Sequence, residues 1–130
     1  MYFAYMDRDS PPGPVDEALP LRPRDFLVLL VLAGGDLHGY AIMKEVERQS
    51  GGRVRLEVGS LYRTIARLLD AGLIEEPAGD PPAEADEERR RPYRISPYGR
   101  RVARREAERL VDVLELARAR GLLELPGKAP

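Results

Sequence analysis

From Gly59 to Asp70 the apolar residues Leu61, Ile65, Leu68 and Leu69 recur at helical spacing, and no other stretch of the chain constrains the fold as much as this one and the charged hairpin after it. The spacing gives a helix one buried face and leaves Ser60, Arg63, Thr64 and Arg67 on the opposite, cationic side. At Ala71-Gly72 a glycine able to take the left-handed conformation ends that helix. Leu73-Ile74 begins an extended arm, and a second arm, Arg90 to Ile95, returns to Ser96-Pro97. That dipeptide pairs a capping hydroxyl with proline at the first helical position, so another helix starts there. A helix with a cationic outer face followed by a charged hairpin is the layout of a DNA reader with a wing.

Upstream, a very apolar helix is expected from about Pro23 to Ala33, closed by Gly34-Gly35. A second helix is expected from about His38 to Gln49, with Tyr40, Met43 and Val46 along one side, Ile42 beside them and Lys44 on the outer side. Arg53 to Glu57 alternate charged and apolar side chains, which predicts a short strand pairing with the wing. Residues 1–20 combine Tyr2, Phe3, Tyr5 and Met6 with a Ser10-Pro11-Pro12-Gly13-Pro14 break and read as a partly flexible arm.

The last helix, about Pro97 to Arg120, carries a second pattern. Ala103, Ala107, Leu110, Leu114 and Ala117 are spaced by four, three, four and three residues, the heptad seam of a helix that meets another helix. Val102, Val113 and Leu116 add a further apolar side. A small head cannot bury both sides, so a partner helix is expected. A hairpin with the first helix is an alternative that does not exclude it.

A formal net charge of −1 and a pI near 5.9 argue against a nucleic-acid partner if averaged over the chain. The distribution argues otherwise. From Leu68 to Glu88 the acids Asp70, Glu75, Glu76, Asp80, Glu84, Asp86, Glu87 and Glu88 meet no basic residue. Bases gather instead at Arg53, Arg55, Arg63 and Arg67, at Arg89, Arg90 and Arg91, and at Arg100, Arg101, Arg104 and Arg105. Local clusters of this kind serve phosphate binding, because each neutralised phosphate releases condensed counterions. An ordinary solvated surface is the plain alternative for any single arginine.

Other chemistries find little footing. There is no cysteine, hence no disulfide or thiolate site, and His38 is the sole histidine, so a histidine-rich metal site is excluded and a Ser-His-Asp triad would depend wholly on it. His38 precedes the second helix and is expected to bond backbone or touch phosphate. The paired glycines Gly34-Gly35 and Gly51-Gly52 lack the Lys-Ser or Lys-Thr of a phosphate loop. The longest apolar run, Phe26 to Ala33, is far short of the roughly 20 residues that span a bilayer. Asp7 and Asp9 do not suit a secretion signal, so a cytoplasmic protein without catalytic residues, metal or cofactor is expected.

Four short motifs in order, Leu37-His38-Gly39-Tyr40, Gly59-Ser60-Leu61-Tyr62, Leu69-Asp70-Ala71-Gly72-Leu73-Ile74 and Tyr93-Arg94-Ile95-Ser96 with Gly99 soon after, resemble the PadR-like winged-helix transcriptional regulators over roughly residues 24–120. Two departures are Glu57, where such proteins often place a Ser or Thr cap, and a hairpin longer and more acidic than the shortest family wings. The fold expected is mainly α with a small β-wing: an arm at 1–20, a winged helix-turn-helix DNA-binding domain at 21–96, a dimerisation helix at 97–120 and a tail at 121–130. The resemblance implies a homodimer joined through the C-terminal helix, double-stranded DNA as partner, and tolerance of a small aromatic effector at the dimer interface.

Within that frame Ser60, Arg63, Thr64 and Arg67 face base edges and flanking phosphates, with Arg63 or Arg67 suited to guanine. Lys44 contacts backbone, and Arg89, Arg90 and Arg91 hold the phosphate or minor-groove side of the wing. By resemblance Tyr40 and Tyr62 give hydroxyls to phosphates, against an equal reading in which they pack the hinge between the second and third helices. The operator expected is an inverted repeat. The competing reading is a winged-helix protein–protein interaction module without specific DNA readout, which suits the acidic pI better and the arginine-bearing third helix worse.

Overall fold

A computed structural model describes residues 15–77 and 91–124. A short 3-10 turn, Val15–Ala18, leads into α1 (Pro23–Ala33), β1 (Leu37–His38), α2 (Gly39–Gln49), α3 (Val58–Asp70), β2 (Ile74–Glu75), β3 (Pro92–Ile95) and α4 (Pro97–Ala119). The three strands form one antiparallel sheet in the order β1-β3-β2. Leu37 pairs with Tyr93, and Ile74 with Ile95. No helix among the described residues is long and apolar enough to cross a membrane.

The apolar character of α1 reflects its position, because it touches α2, α3, α4 and β3. Its Val28, Leu29 and Leu32 meet Ile42 and Val46 of α2, Leu61, Ile65 and Leu68 of α3 and Val102 of α4 in one buried core. Helix α2 begins where His38 Nδ1 accepts a hydrogen bond from the Ala41 N–H at 3.3 Å, so the sole histidine is a helix cap. Helix α3 ends in a closed turn: Leu73 N–H donates to Leu68 O, Gly72 N–H donates to Leu69 O, and Gly72 takes φ 75°, which glycine alone adopts without strain.

The expected strand at Arg53–Glu57 does not form. The Val54 N–H donates to Ser50 Oγ at 2.9 Å and the Arg53 N–H to Ser50 O, so this backbone bonds back to the end of α2. The free edge of the wing is taken by Leu37–His38 instead, a segment too short to show a two-residue period.

The start of α4 is built around Ser96. Its hydroxyl accepts from the Gly99 N–H at 2.8 Å and donates to the Gly72 carbonyl at 2.6 Å, while the Ser96 N–H donates to Leu73 O. The fit leaves no room at Gly99, where a β-carbon would run into the Leu73 carbonyl. Further along, the buried Glu106 carboxylate accepts from Arg109 Nε at 2.6 Å and from the Leu21 N–H at 3.1 Å, strapping the chain before α1 onto α4. Asp16 and Arg105 add an ion pair at 3.4 Å beside it.

Two substitutions probe these contacts. Gly99→Ala is expected to cost about 1 to 3 kcal/mol or more, as overpacking against fixed backbone does, read from urea midpoints at unchanged slope. For Glu106, the Arg109 hydrogen bonds hold the carboxyl below the usual carboxylate range against the opposing effect of burial, with the Leu21 N–H helping. A depressed folded pKa stabilises above the unfolded value and loses that contribution as pH falls through the folded one. Glu106→Gln is therefore expected to cost about 1.5 to 3 kcal/mol at neutral pH, with the gap to wild type closing in acid below the ordinary carboxylate range. A gap independent of pH would contradict this account.

Candidate nucleic-acid interface

Five positions of α3 face solvent together: Gly59, Tyr62, Arg63, Ala66 and Asp70. They fall at the spacing of one helical face. The buried face carries Leu61, Thr64, Ile65 and Leu68. Thr64 is 3% exposed, which removes it from the outward set expected from sequence. The stripe that packs on the core runs i, i+3, i+4, i+7 from Leu61, and Thr64 sits inside it.

Two of the other expected readers turn sideways rather than out. Arg67 donates to Asp25 of α1 from Nη2 at 2.6 Å and from Nε at 3.4 Å, and Asp25 itself is buried. Ser60 Oγ accepts from Arg24 Nη1 at 3.2 Å. A groove between α1 and this flank of α3 is lined by Arg22, Arg24, Ser60, Arg63, Thr64 and Arg67. Arg22 and Arg24 are not among the readers expected from sequence. Their signal is present in the charges bracketing Pro23, but the meeting of α1 with α3 spans 36 to 42 positions and has no local pattern.

Arg63 belongs to both the groove and the outer face, and it has no ion-pair partner among the described residues. Next to it Tyr62 lies across the head of α2. A β-carbon on Gly39 would come within 2.6 Å of the Tyr62 hydroxyl oxygen, so the Gly-Tyr motif leaves space for the Leu-Tyr motif. Tyr62 thus serves the α2–α3 contact and still keeps 36% of its surface exposed. Tyr40 is 56% exposed, and Lys44 Nζ stands 5.5 Å from its ring centroid, within cation–π range. Lys44, Tyr40, Tyr62 and Arg63 are the cationic and hydroxyl-bearing side chains offered to solvent where α2 meets α3.

On the wing, Arg91 Nη1 is 2.9 Å from Glu76 across the two arms, and Arg94 makes a two-pronged contact with Asp36 before β1, closest at 2.9 Å. These pairs set the root of the hairpin. Arg89, Arg90 and the acidic stretch of the hairpin lie outside the described residues.

Along α4 the expected seam divides in two. Tyr98, Gly99, Val102, Ala103 and Glu106 are buried against the head, so Ala103 belongs to the core of its own chain and not to a free interface. Beyond Glu106 the same helix shows its apolar side chains to solvent. Ala107 is exposed, Leu110 and Ala117 are half-buried, and Val111, Val113, Leu114 and Leu116 are 43 to 63% exposed. On α1, Leu30 is 44% exposed as well.

This geometry agrees with that of known proteins. A sequence model of the transcriptional regulator PadR-like family matches residues 28–105. An uncharacterized 37.1 kDa protein in transposon TN4556 of Streptomyces fradiae is 44% identical over 81 residues, 62% of this chain. The chain spans about a fifth of the length of that curated relative. A transcriptional regulator from Clostridium thermocellum Cth-833 superposes with a TM-score of 0.61 at 27% identity, over 74% of this chain and 87% of that one. A PadR family transcription regulator from hypervirulent Clostridium difficile R20291 gives 0.60 at 19% identity, over 74% and 95%. Bacillus subtilis PadR in complex with operator DNA gives 0.51 at 19% identity, over 85% and 53%. At 19% identity the last two likenesses speak for the fold alone.

Proposed function

Because the chain belongs to the PadR-like family of transcriptional regulators, and so to regulators and not enzymes, we propose that it is a cytoplasmic, dimeric, sequence-specific DNA-binding repressor. The observation that carries this reading is the solvent-facing α2–α3 junction, where Arg63, without an ion-pair partner among the described residues, stands beside Tyr62, Tyr40 and Lys44. Helix α3 enters the major groove, and Arg63 offers its planar fork to a guanine edge. Lys44 and the two tyrosines hold flanking phosphates. Arg67, engaged by Asp25, orients α3 against α1 and is a positioning residue. Arg91 supports the wing root, with Arg89 and Arg90 reaching the backbone beyond it.

The exposed half of α4 is the dimer seam. Leu110, Val113, Leu114 and Ala117 are spaced three, one and three apart on one side of the helix, and their burial against a second copy removes apolar area from water at about 25 cal/mol per Å². A two-fold dimer presents two α3 helices related by the axis of the DNA, so the operator is an inverted repeat with half-sites roughly 34 to 36 Å apart. A small aromatic effector that wedges α4 away from α1 changes that spacing and releases the operator.

Two measurements test the reading. In a gel shift on the DNA upstream of the protein's own gene, Arg63→Ala is expected to cost about 1 to 3 kcal/mol on the preferred site and little on random sequence. Retention of full site preference by that variant removes Arg63 from the readout. In light scattering at micromolar concentration the wild type is expected to have the mass of two chains. Leu110→Glu with Leu114→Glu, which sets like charges in the seam, is expected to yield one chain. A wild type with the mass of one chain ends the dimeric mechanism, and a chain that shifts no duplex returns the fold to the role of a protein-binding module.

A further inference from the structure

The groove between α1 and α3 has a composition that the recognition face does not explain. Arg22, Arg24, Arg63 and Arg67 line it, and none of its lining residues is acidic. Asp25 neutralises Arg67 from behind, and among the described residues the other three have no ion-pair partner. Arg24 is drawn across the groove by its bond to Ser60 Oγ at 3.2 Å, and Arg22 stands exposed at the mouth. Arg22 also occupies the N-cap of the 11-residue α1 without a side-chain cap bond, and the one carboxylate of its first turn, Asp25, is engaged by Arg67. Arginine forks of this kind suit the paired oxygens of a phosphodiester.

The position matters as much as the charge. Arg63 is shared between the groove and the outer face of α3, so a strand bordering a major groove that holds α3 runs along this flank. We infer that the groove is a backbone clamp: Arg22 and Arg24 bind one phosphate of duplex DNA at the border of each half-site, while Asp25 and Arg67 fix the angle between the helices that form the clamp. The clamp rests on the DNA-binding reading above, and it adds α1 to the contact surface. It supplies affinity without sequence information, in contrast to Arg63.

The test is a salt titration of DNA affinity by fluorescence anisotropy, on an operator duplex and a random-sequence duplex. Arg22→Gln with Arg24→Gln is compared with wild type, with Arg22→Gln alone as the milder variant should the Ser60 contact matter for folding. Thermal melts check that the fold is kept. One phosphate per head contributes about 0.9 to the slope of log affinity against log salt, so a dimer is expected to lose about 2. The loss should be equal on both duplexes, with operator preference intact. Arg118→Gln with Arg120→Gln, which removes the same charge at the far end of α4, is expected to leave the slope unchanged.

An unchanged slope in the double variant overturns the clamp, as does an equal loss in the far-end control, which would mean net charge alone. Inorganic phosphate added at constant ionic strength separates the sources of the anion. Displacement of DNA from wild type but not from the double variant would make the groove a free-phosphate site and overturn the backbone assignment. Wild type that binds both duplexes equally sinks sequence-specific readout while a lowered slope in the variant still upholds the clamp. Wild type without affinity for any duplex ends both.

Discussion

The hydroxyl of Ser96 holds together three parts of the molecule that meet at this junction. It caps α4 through the Gly99 N–H and reaches back to the Gly72 carbonyl, while the adjacent amide takes the Leu73 carbonyl. The exit of α3, the returning strand of the wing and the base of α4 therefore share one small cluster of hydrogen bonds. Their geometry is mutual: the turn after α3 needs Gly72 at positive φ, and the approach of α4 needs Gly99 without a side chain. With that junction fixed, α1 fills the space between the helices and the core closes around Leu29, Leu32, Ile65 and Val102.

Much of this was legible because the signals are local. The boundaries of α1 and α4, the glycine turn after α3 and the cap at Ser96 rest on residues within a turn of one another. The features that escaped depend on where a helix points once it packs. Leu61, Ile65, Leu68 and Leu69 define a broad apolar arc that leaves Thr64 on either margin. The Asp25–Arg67 pair and the core rotate α3 so that Thr64 goes in and Leu69 is only half-buried. Ala103 misleads for the same reason, since a heptad seam does not say whether its partner is another chain or the rest of the same one. The alternation at Arg53–Glu57 has the period of a strand, yet Ser50 gives those amides a nearer partner.

The charge pattern needs a similar correction. Several arginines are spent on fixing elements: Arg48 on Glu45, Arg67 on Asp25, Arg91 on Glu76, Arg94 on Asp36 and Arg109 on Glu106. The exposed pairs among them, those of Arg48, Arg91 and Arg94, add little stability individually, unlike the pairs of buried Asp25 and Glu106. Their effect on the surface potential is larger, because each removes a cation from the set that faces solvent. The chain's slight net negative charge and a locally basic α1–α3 flank are thus compatible. On that flank the cationic surface comes from Arg22, Arg24 and Arg63, for which the described residues supply no ion-pair partner.

The division of α4 at Glu106 gives the helix the mechanics of a lever. Its first turns are clamped between Ser96 and the Leu21–Glu106–Arg109 strap, and the remainder, through Ala119, projects clear of the head. At 1.5 Å per residue the projecting arm beyond Arg109 is about 15 Å long, so a tilt of about 10° at the clamp carries its tip through roughly 3 Å. Small shifts in the chain before α1 are thereby magnified at the far end, and the fulcrum is a single buried carboxylate.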